Sequence, residues 1–376
     1  MTTKTVCIVA PVHDWDDVRV FHKEARTLAQ AGYRVTVITR ASRPRNFAGI
    51  RILPARTVTS SRFLRFLALP AVFIQTLWVN ADVYHLHNPD TLLIAAGLKM
   101  LGRKCIYDTH EDFSRRILAR PWLPRPIRPV IARAVGLLER ISSRLVDACI
   151  VTQPEVLSRL SGWVVVIGNP PRMDPALFAR VKRSAKSIKD DFSGLRVVYI
   201  GSVTPERGLF EMVQALEIAN AAVPVRLWLI GHCSVAYLRA AATSPGWQYV
   251  DYITPQPQEQ AFAYLLRADV GLIVLRDVGD HATTDPNKLY EYMAFGLPFV
   301  ASNFHRWREK LNGVDAGLYV NSGDAHALAQ AIIEMARTPA QRKKMGQKGR
   351  VFVQTHTWEH ESIKLLDVYR QVLNPS

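Results

Sequence analysis

Two short segments carry the residue types that bind phosphate and ribose. The first runs from Gly201 to Gly208 and reads Gly-Ser-Val-Thr-Pro-Glu-Arg-Gly, with Arg207 just before a predicted helix. A glycine-rich turn that leads into a helix presents backbone N–H groups and a cation, which together can bind a diphosphate. Gly231 ends another apolar run and is a second candidate of this kind. An arginine near a helix start is also an ordinary solvated surface group.

The second segment runs from Thr284 to Pro298 and predicts a helix over about 287–295, capped by Gly296. Lys288 and Glu291 are three residues apart, so they share one side of that helix near its start. A lysine there can bind a phosphate, and a carboxylate can accept from the paired hydroxyls of a ribose. The alternative interpretation is a surface ion pair between the two side chains.

Both segments lie in a chain whose apolar runs alternate with helical patterns, which predicts two doubly wound α/β domains. Ligands of such sheets bind beyond the carboxyl ends of the strands, so residues that follow a strand are the best candidates for chemistry. The pattern breaks after Asn169, and we place the first domain at 1–180, the linker at 181–195 and the second domain at 196–357. The predicted strands lie near 6–10, 35–38, 83–86, 104–107, 148–151, 196–200, 225–230, 270–274 and 298–301.

The positive charge of the chain is concentrated in its first half. Residues 1–185 hold 28 Lys and Arg against 13 Asp and Glu, a net of +15, whereas residues 186–376 hold 20 against 19, a net of +1. This asymmetry predicts a polyanionic partner for the first half, either an anionic membrane or nucleic acid. We find no aromatic platform or base-reading motif that would indicate nucleic acid.

Residues 114–144 mix arginine with tryptophan, leucine and isoleucine, a pattern typical of a segment that lies in the headgroup layer of an anionic membrane. A solvated helix face is the alternative. The longest uncharged stretch, about 66–81, is shorter than the ~20 residues that a spanning helix needs. The first residues predict a strand and not a signal peptide. The four scattered cysteines indicate reduced, buried thiols. We therefore expect a cytoplasmic protein at the inner face of the membrane.

Taken together, the motifs resemble retaining glycosyltransferase family 4, whose GT-B fold has two doubly wound Rossmann-like domains that face a central cleft. The resemblance spans nearly the whole chain. It is carried by Asp17–Arg26, Ala31–Tyr33, His85–Asp90, Tyr107–Glu111, Gly201–Gly208 and Lys288–Pro298. It implies transfer of a sugar from a UDP- or GDP-type donor, and a C-terminal helix, about 358–376, that crosses back to the first domain. With the basic first half, it favours a lipid-linked or polysaccharide acceptor.

The resemblance also implies a donor site in the second domain. Glu291 would hold the donor ribose, and Arg207 stands where the family commonly has a phosphate-binding lysine. Two positions depart from the family pattern, because Thr283 replaces its first glutamate and Ser202 replaces its usual phosphate arginine. Lys288 would supply the missing charge. The predicted donor-binding set is Gly201, Ser202, Arg207, Gly231, Thr283, Lys288, Leu289 and Glu291.

In the first domain, the resemblance implies that His110 faces the donor sugar and the acceptor, and we predict His110 and Glu291 as the catalytic residues. The predicted acceptor-side residues are Asp14, Asp17, Arg19, His87 and Glu111. The Asp-x-Asp pair at 14 and 16 also fits a divalent cation, although the basic groups of the second domain make a metal unnecessary. His85 and His87 share a strand face and are either metal ligands or packing residues.

A GT-B-like epimerase or phosphorylase would use the same scaffold for a different reaction. A basic nucleic-acid-binding protein is the alternative from another class. A transferase forms a free nucleoside diphosphate only when acceptor is present, which distinguishes it from an epimerase or phosphorylase. DNA binding without nucleotide binding would indicate the nucleic-acid-binding protein.

Overall fold

The computed structural model describes residues 3–56, 62–109, 113–118, 123–152, 154–172, 174–279, 281–284 and 287–374. It divides the chain into two compact units. Unit 1 comprises Met1–Asn169 together with Trp358–Ser376, and unit 2 comprises Pro170–Thr357. Each unit contains one sheet with a hydrophobic core on either face, which is the doubly wound architecture that the alternating sequence pattern predicts.

The strands of unit 1 are β1 (Thr5–Asp14), β2 (Arg34–Arg40), β3 (Arg45–Phe47), β4 (Ile50–Pro54), β5 (Val83–His87), β6 (Lys104–Thr109), β7 (Ala148–Val151) and β8 (Val164–Val166). They pair in the order β3-β4-β2-β1-β5-β6-β7-β8. Every neighbouring pair is parallel except β3 with β4. The sheet buries apolar side chains on both faces, and for this reason its central strands have no polar alternation.

The helices of the first part of unit 1 are α1 (Arg26–Gln30), α2 (Arg62–Val79), α3 (Leu92–Met100), α4 (Phe113–Leu118) and α5 (Arg128–Leu145). A π-type helix, Val18–Ala25, leads directly into α1, and Asp17 caps it by accepting from the N–H groups of Arg19 and Val20. Among the described helices, none combines the length and the apolar composition that crossing a bilayer requires.

Three of the four cysteines, Cys7, Cys105 and Cys149, are buried within β1, β6 and β7. All four are free thiols, as the sequence predicts. Burial raises the pKa of each of these three thiols. They therefore stay protonated and unreactive inside the sheet.

The strands of unit 2 are β9 (Leu195–Ile200), β10 (Val225–Ile230), β11 (Val250–Ile253), β12 (Val270–Ile273), β13 (Phe299–Ser302) and β14 (Gly317–Val320). They form one parallel sheet in the order β11-β10-β9-β12-β13-β14. The helices of unit 2 are α6 (Pro175–Lys186), α7 (Leu209–Asn220), α8 (Val235–Ala242), α9 (Gln258–Leu265), α10 (Asn287–Ala294), α11 (His305–Lys310), α12 (Ala325–Arg337) and α13 (Pro339–Gln354).

Each sheet has a point at which the chain switches from one side of a central strand to the other. In unit 2 the chain passes from β9 to β10 and β11 on one side and then returns to β12 on the other side. In unit 1 the corresponding neighbours are β1 and β5. A crevice opens at such a switch point beyond the carboxyl ends of the strands, and it is the usual ligand site of this architecture.

The boundary between the units lies earlier than the predicted linker at 181–195. Helix α6 occupies the start of that segment and belongs to unit 2. Asp174 caps α6, its Val181 and Ala185 are buried, and Arg180 pairs with Glu259 of α9 at 2.9 Å. The basic residues on the outer face of α6 gave the segment the polarity of a linker, although its inner face is apolar.

The last helix, α14 (Trp358–Leu373), belongs to unit 1. Trp358, Leu365, Val368 and Tyr369 lie in the same core as the first strands of the chain. The Trp358 indole N–H donates to the Thr27 hydroxyl at 2.9 Å. Unit 1 is therefore built from two separate stretches of sequence.

Candidate active site

The loop that follows β9 places its glycines at the switch point of unit 2. Gly201 and Gly208 have φ values of 137° and 79°, in the region that favours glycine. A Cβ atom on Gly208 would lie 2.1 Å from the carbonyl oxygen of Val274, just beyond β12. Gly208 also precedes the first residue of α7, so this glycine lets the start of the helix lie against the strand ends. The Leu209 N–H donates to the Thr204 carbonyl oxygen at 3.3 Å, whereas the next N–H groups of that turn have no acceptor within the helix and suit an anion at this edge.

Gly231, at the end of β10, allows a second close approach. A Cβ atom at this position would lie 1.8 Å from the carbonyl oxygen of Gly201, and the φ of Gly231 is 145°. The Tyr252 hydroxyl donates to the carbonyl oxygen of Gly231 at 2.9 Å. The two predicted glycine turns thus lie in contact and form one backbone surface beyond β9 and β10.

Lys288 extends from the first turn of α10 to this surface. A Cβ atom on Gly201 would lie 2.8 Å from both Cε and Nζ of Lys288, and Nζ lies 5.4 Å from the centroid of the Tyr199 ring. Burial, assisted by the nearby Arg207, lowers the pKa of Lys288 from 10.5 to about 8 against the opposing effect of Glu291. A bound anion would raise the pKa of Lys288 again, because it would stabilise the charged amine.

Arg207 and Glu291 belong to the same group of charges. Arg207 bonds the hydroxyl of Tyr199, which also donates to the carbonyl oxygen of Ser202 at 2.9 Å. Glu291 lies one turn after Lys288 and is partly buried. The sequence therefore located the elements of one site: two cations, a helix start, a glycine surface and a carboxylate. Such a group of residues can bind a diphosphate and a neighbouring diol.

The other predicted donor residues differ in what they offer. Ser202 is exposed, and its carbonyl oxygen is already used by Tyr199. Thr283 is partly buried, and the next residue is fixed because the Trp307 indole N–H donates to the Thr284 carbonyl oxygen at 2.7 Å. The side chain of Leu289 is only 4% exposed and lies in the core, so only its backbone in the first turn of α10 could contact a donor, and its predicted role stays a prediction. The apolar face of α10 turns inward, and Leu289 lies on it.

Tyr292 is a supporting residue that motif reasoning missed. Its hydroxyl lies 3.4 Å from both the N–H of Ile200 and the carbonyl oxygen of Leu272, so it bridges the ends of β9 and β12. A Cβ atom on Gly271 would lie 2.1 Å from the Tyr292 ring. The isolated glycine inside the apolar run of β12 was the available signal, since such a glycine marks a close approach by another group.

In unit 1, the switch point is lined by His13, Asp17 and Asn88. His13 Nδ1 lies 3.1 Å from the Asp17 carboxylate, and its Nε2 lies 2.9 Å from the side-chain nitrogen of Asn88. Burial lowers the pKa of His13, but Asp17 and weaker effects outweigh it and raise the pKa overall. The predicted acceptor-side residue Asp17 is thus a helix cap and a partner of His13.

Asp14, the first carboxylate of the Asp-x-Asp pair, is exposed and makes a two-point ion pair with Arg40 at 2.8 Å. A divalent cation at this pair would have to compete with that guanidinium. His110 and Glu111 lie outside the described residues, so their predicted catalytic and acceptor-side roles remain predictions.

Arg19 and His87 do not line a surface, which corrects their expected acceptor contacts. They are 4% and 0% exposed, within a cluster of charged side chains that includes Glu24, His85 and Asp108. Arg19 pairs with Glu24 at 2.8 Å and with Asp108 at 2.9 Å, and His87 Nε2 lies 3.2 Å from Glu24. A buried charge needs such partners, so these residues support the edge of the sheet from within.

In the same cluster, two carboxylates lie beside His85 and His87, and carboxylates are metal ligands that the sequence alone did not place there. Ligand atoms of Glu24, His85, His87 and Asp108 lie within 4.8 Å of one another. However, the guanidinium of Arg19 already bridges both carboxylates. A cation among these four residues would face that positive charge in a fully buried space, which favours the structural interpretation.

The two halves of the chain match two family models. Residues 194–338 match the model of the glycosyl transferases group 1 family, and residues 18–172 match that of the glycosyl transferase 4-like domain. The chain belongs to the group 1 glycosyltransferases. The predicted family 4 membership, the GT-B fold and the prediction of a glycosyltransferase are confirmed.

Individual relatives of this glycosyltransferase are distant. Over 84 residues it is 32% identical to the phosphatidyl-myo-inositol mannosyltransferase of Mycobacterium leprae, and the matched stretch is 22% of each protein. The sucrose-phosphate synthase of Thermosynechococcus elongatus has a TM-score of 0.79 at 19% identity over 99% of this chain and 100% of that one. Anabaena HepE in complex with UDP-glucose has a TM-score of 0.71 at 12% identity over 98% and 100%. At these identities the solved structures show the shared fold.

Proposed function

We propose that this glycosyltransferase transfers a sugar from a nucleoside diphosphate sugar, of UDP or GDP type, with retention of anomeric configuration. The observation that carries the proposal is the group formed by Arg207, Lys288 and Glu291 at the glycine surface of unit 2. Two cations and a helix start stabilise the charge of a diphosphate. Glu291 would accept hydrogen bonds from the ribose hydroxyls. The solved complex of Anabaena HepE with UDP-glucose supports a donor of this class.

The proposed reaction breaks the bond between the anomeric carbon and the diphosphate oxygen and forms a bond from that carbon to an acceptor hydroxyl oxygen. The electron pair of the broken bond stays on the diphosphate, which Arg207 and Lys288 stabilise without a required metal. The leaving phosphate takes the proton of the acceptor hydroxyl on the same face of the sugar, which gives retention. His110 and Glu291 are the proposed catalytic residues.

We further propose that the acceptor is lipid-linked, or a polysaccharide, and that the enzyme acts at the inner face of the cell membrane in cell-surface glycan synthesis. Two features of unit 1 support a membrane partner. It carries most of the net positive charge of the chain. Among the described residues, it also carries all of the exposed large hydrophobic side chains except Val235, Tyr237, Val278 and Val351. The name of the mycobacterial relative, phosphatidyl-myo-inositol mannosyltransferase, includes a phospholipid.

A test of the donor site uses Glu291→Ala with nucleotides that differ only in the ribose. Wild-type enzyme should bind UDP or GDP about tenfold more tightly than the 2′,3′-dideoxy form, because loss of a hydrogen bond to a charged group costs about 1.5 kcal/mol or more. The variant should bind both forms equally. Glu217→Ala, on the exposed face of α7, is the matched control. Retained discrimination in Glu291→Ala would remove Glu291 from the ribose site.

The same titration tests the proposed independence from metal. Addition of EDTA should leave nucleotide affinity within about twofold, since the protein cations neutralise the diphosphate. A loss of tenfold or more that magnesium restores would show that a metal ion takes part. Product analysis should show a nucleoside diphosphate and a glycosylated acceptor whose anomeric configuration matches that of the donor.

A further inference from the structure

A groove runs along unit 1 between α4, α5 and the turn Pro154–Arg159. Its volume is about 630 Å³. It is lined mainly by Ser114, Leu118, Arg133, Leu137, Arg140 and Arg159. The two helices meet closely at its floor, where a Cβ atom on Gly136 would lie 2.9 Å from the Ser114 hydroxyl oxygen. The groove lining thus combines apolar side chains with guanidinium groups.

The outer face of α5 continues both properties beyond the groove. Arg133, Leu137 and Arg140 follow each other at spacings of four and three residues, so they lie on one side of the helix. Val130, Leu137, Ile141 and Leu145 form an adjacent apolar strip. They are 64%, 60%, 50% and 50% exposed. At about 1.5 Å per residue, the 18 residues of α5 extend this face over roughly 27 Å.

The two arginines on this side of α5, Arg133 and Arg140, have no partner of opposite charge in the part of the chain that the structure describes. Arg133 and Arg140 are exposed and make no ion pair with any described residue. Glu139, the one acidic residue of α5, points inward, where it accepts from the Tyr107 hydroxyl at 2.8 Å. The guanidinium groups of Arg133 and Arg140 can therefore pair with an external anion. A single guanidinium binds phosphate oxygens in a two-point geometry that an ammonium group does not reproduce.

An occupant must satisfy both the cations and the apolar strip. A soluble polyanion would leave the strip in water, whereas a phosphorylated lipid contributes a headgroup for the arginines and acyl or prenyl chain for the strip. The groove also begins at the edge of the sheet where acceptor is expected. Helix α4 starts four residues after the end of β6, on the carboxyl side of that strand.

We propose that the groove between α4 and α5 binds the diphosphate headgroup of a lipid-linked acceptor, through Arg133 and Arg140, while the apolar strip of α5 lies in the bilayer surface. This inference rests on the proposed function. It adds that the acceptor lipid is recognised in this groove and that its diphosphate is the group recognised. It predicts selectivity for a lipid diphosphate over an anionic membrane in general.

The test measures flotation with phosphatidylcholine vesicles that contain a polyprenyl diphosphate, and with phosphatidylglycerol vesicles of equal surface charge. The groove variant Arg133→Ala with Arg140→Ala is compared with Arg34→Ala with Arg51→Ala, a pair of exposed arginines elsewhere in unit 1. Both variants lose two positive charges. The groove variant should lose at least about tenfold in affinity for the diphosphate vesicles, and the control pair less than about threefold. Wild-type enzyme should prefer the diphosphate vesicles.

Equal losses in the two variants, or equal binding to both kinds of vesicle, would show general surface attraction and overturn the proposal. Ile141→Ser with Leu145→Ser, two strip residues outside the groove lining, should weaken vesicle binding without removing the diphosphate preference, and loss of that preference would also count against the groove. Nucleotide binding is measured on every variant. If wild-type enzyme binds UDP or GDP but no lipid diphosphate, only this inference fails, whereas absence of nucleotide binding rejects the proposed function itself.

Discussion

Replacement of Lys288 by methionine tests the electrostatics of the donor site most directly. Methionine keeps the length and apolar stem of the side chain but removes its charge. A contact to a charged group contributes about 1.5–3 kcal/mol, and each 1.4 kcal/mol is a factor of ten. The affinity of the variant for a nucleoside diphosphate should therefore fall by about 10- to 150-fold. Lys344→Met, on the exposed side of α13, is the matched control and should bind within about twofold of wild type.

The lowered pKa of Lys288 adds a pH dependence with a definite sign. With a pKa of about 8, about nine in ten Lys288 side chains are charged at pH 7 and about one in ten at pH 9 in the free enzyme. A bound diphosphate raises this pKa, so binding above pH 8 requires proton uptake. Wild-type affinity should fall about tenfold between pH 7 and pH 9, a range in which the diphosphate itself stays ionised. Isothermal calorimetry in buffers of different ionisation enthalpy would detect the proton.

Stability should change in the opposite direction to affinity. The amine has a pKa of 10.5 when unfolded and about 8 when folded, so the unfolded state binds more protons between these values. The resulting destabilisation, roughly 3 kcal/mol, is fully present below pH 8 and disappears as the pH rises toward 10.5. Lys288→Met should therefore unfold at a higher temperature than wild type at pH 7. A variant with unchanged affinity and unchanged pH dependence would refute the assignment of Lys288 to the diphosphate.

Two further predictions concern the support of the sites. Gly231→Ala should destabilise unit 2 by more than about 3 kcal/mol in urea unfolding, because its Cβ atom would overlap the Gly201 carbonyl oxygen. Gly323→Ala, whose positive φ has open space around it, should cost only about 1 kcal/mol, and similar losses would contradict the close approach. Tyr369→Phe should destabilise unit 1 by about 1–3 kcal/mol, since the Tyr369 hydroxyl lies 2.8 Å from His85 Nδ1. An unchanged urea midpoint of unfolding would show that this buried hydrogen bond contributes nothing to stability.

The sequence predicted best what depends on local pattern. The long apolar runs gave β1, β2, β5, β6, β7, β9 and β10, because strands buried on both faces need continuous apolar side chains. The predicted donor-binding residues Gly201, Arg207, Gly231 and Lys288 were chosen because each lies where a strand ends or a helix begins. The topology then brings those positions to one edge of the sheet, so sequence-distant residues become neighbours.

What the sequence did not show depends on tertiary packing. The short edge strands β3, β8 and β14 have three, three and four residues, too few for an alternation to be recognised. Arg19 and His87 were predicted to lie on an acceptor-binding surface, because charged residues are rarely found inside a protein without partners. The partners of Arg19, Glu24 and Asp108, lie five and 89 residues away along the chain.

The return of α14 to unit 1 has a consequence for biosynthesis. During translation, all of unit 2 is synthesised before residues 358–373, although the first residues of unit 1 are made earliest. Until then the surface that receives Trp358 and Tyr369 remains uncovered, and His85 lacks its hydroxyl partner. Unit 1 therefore cannot complete its core until the end of synthesis, although it contains the N-terminus, contrary to the usual N-terminal-first order.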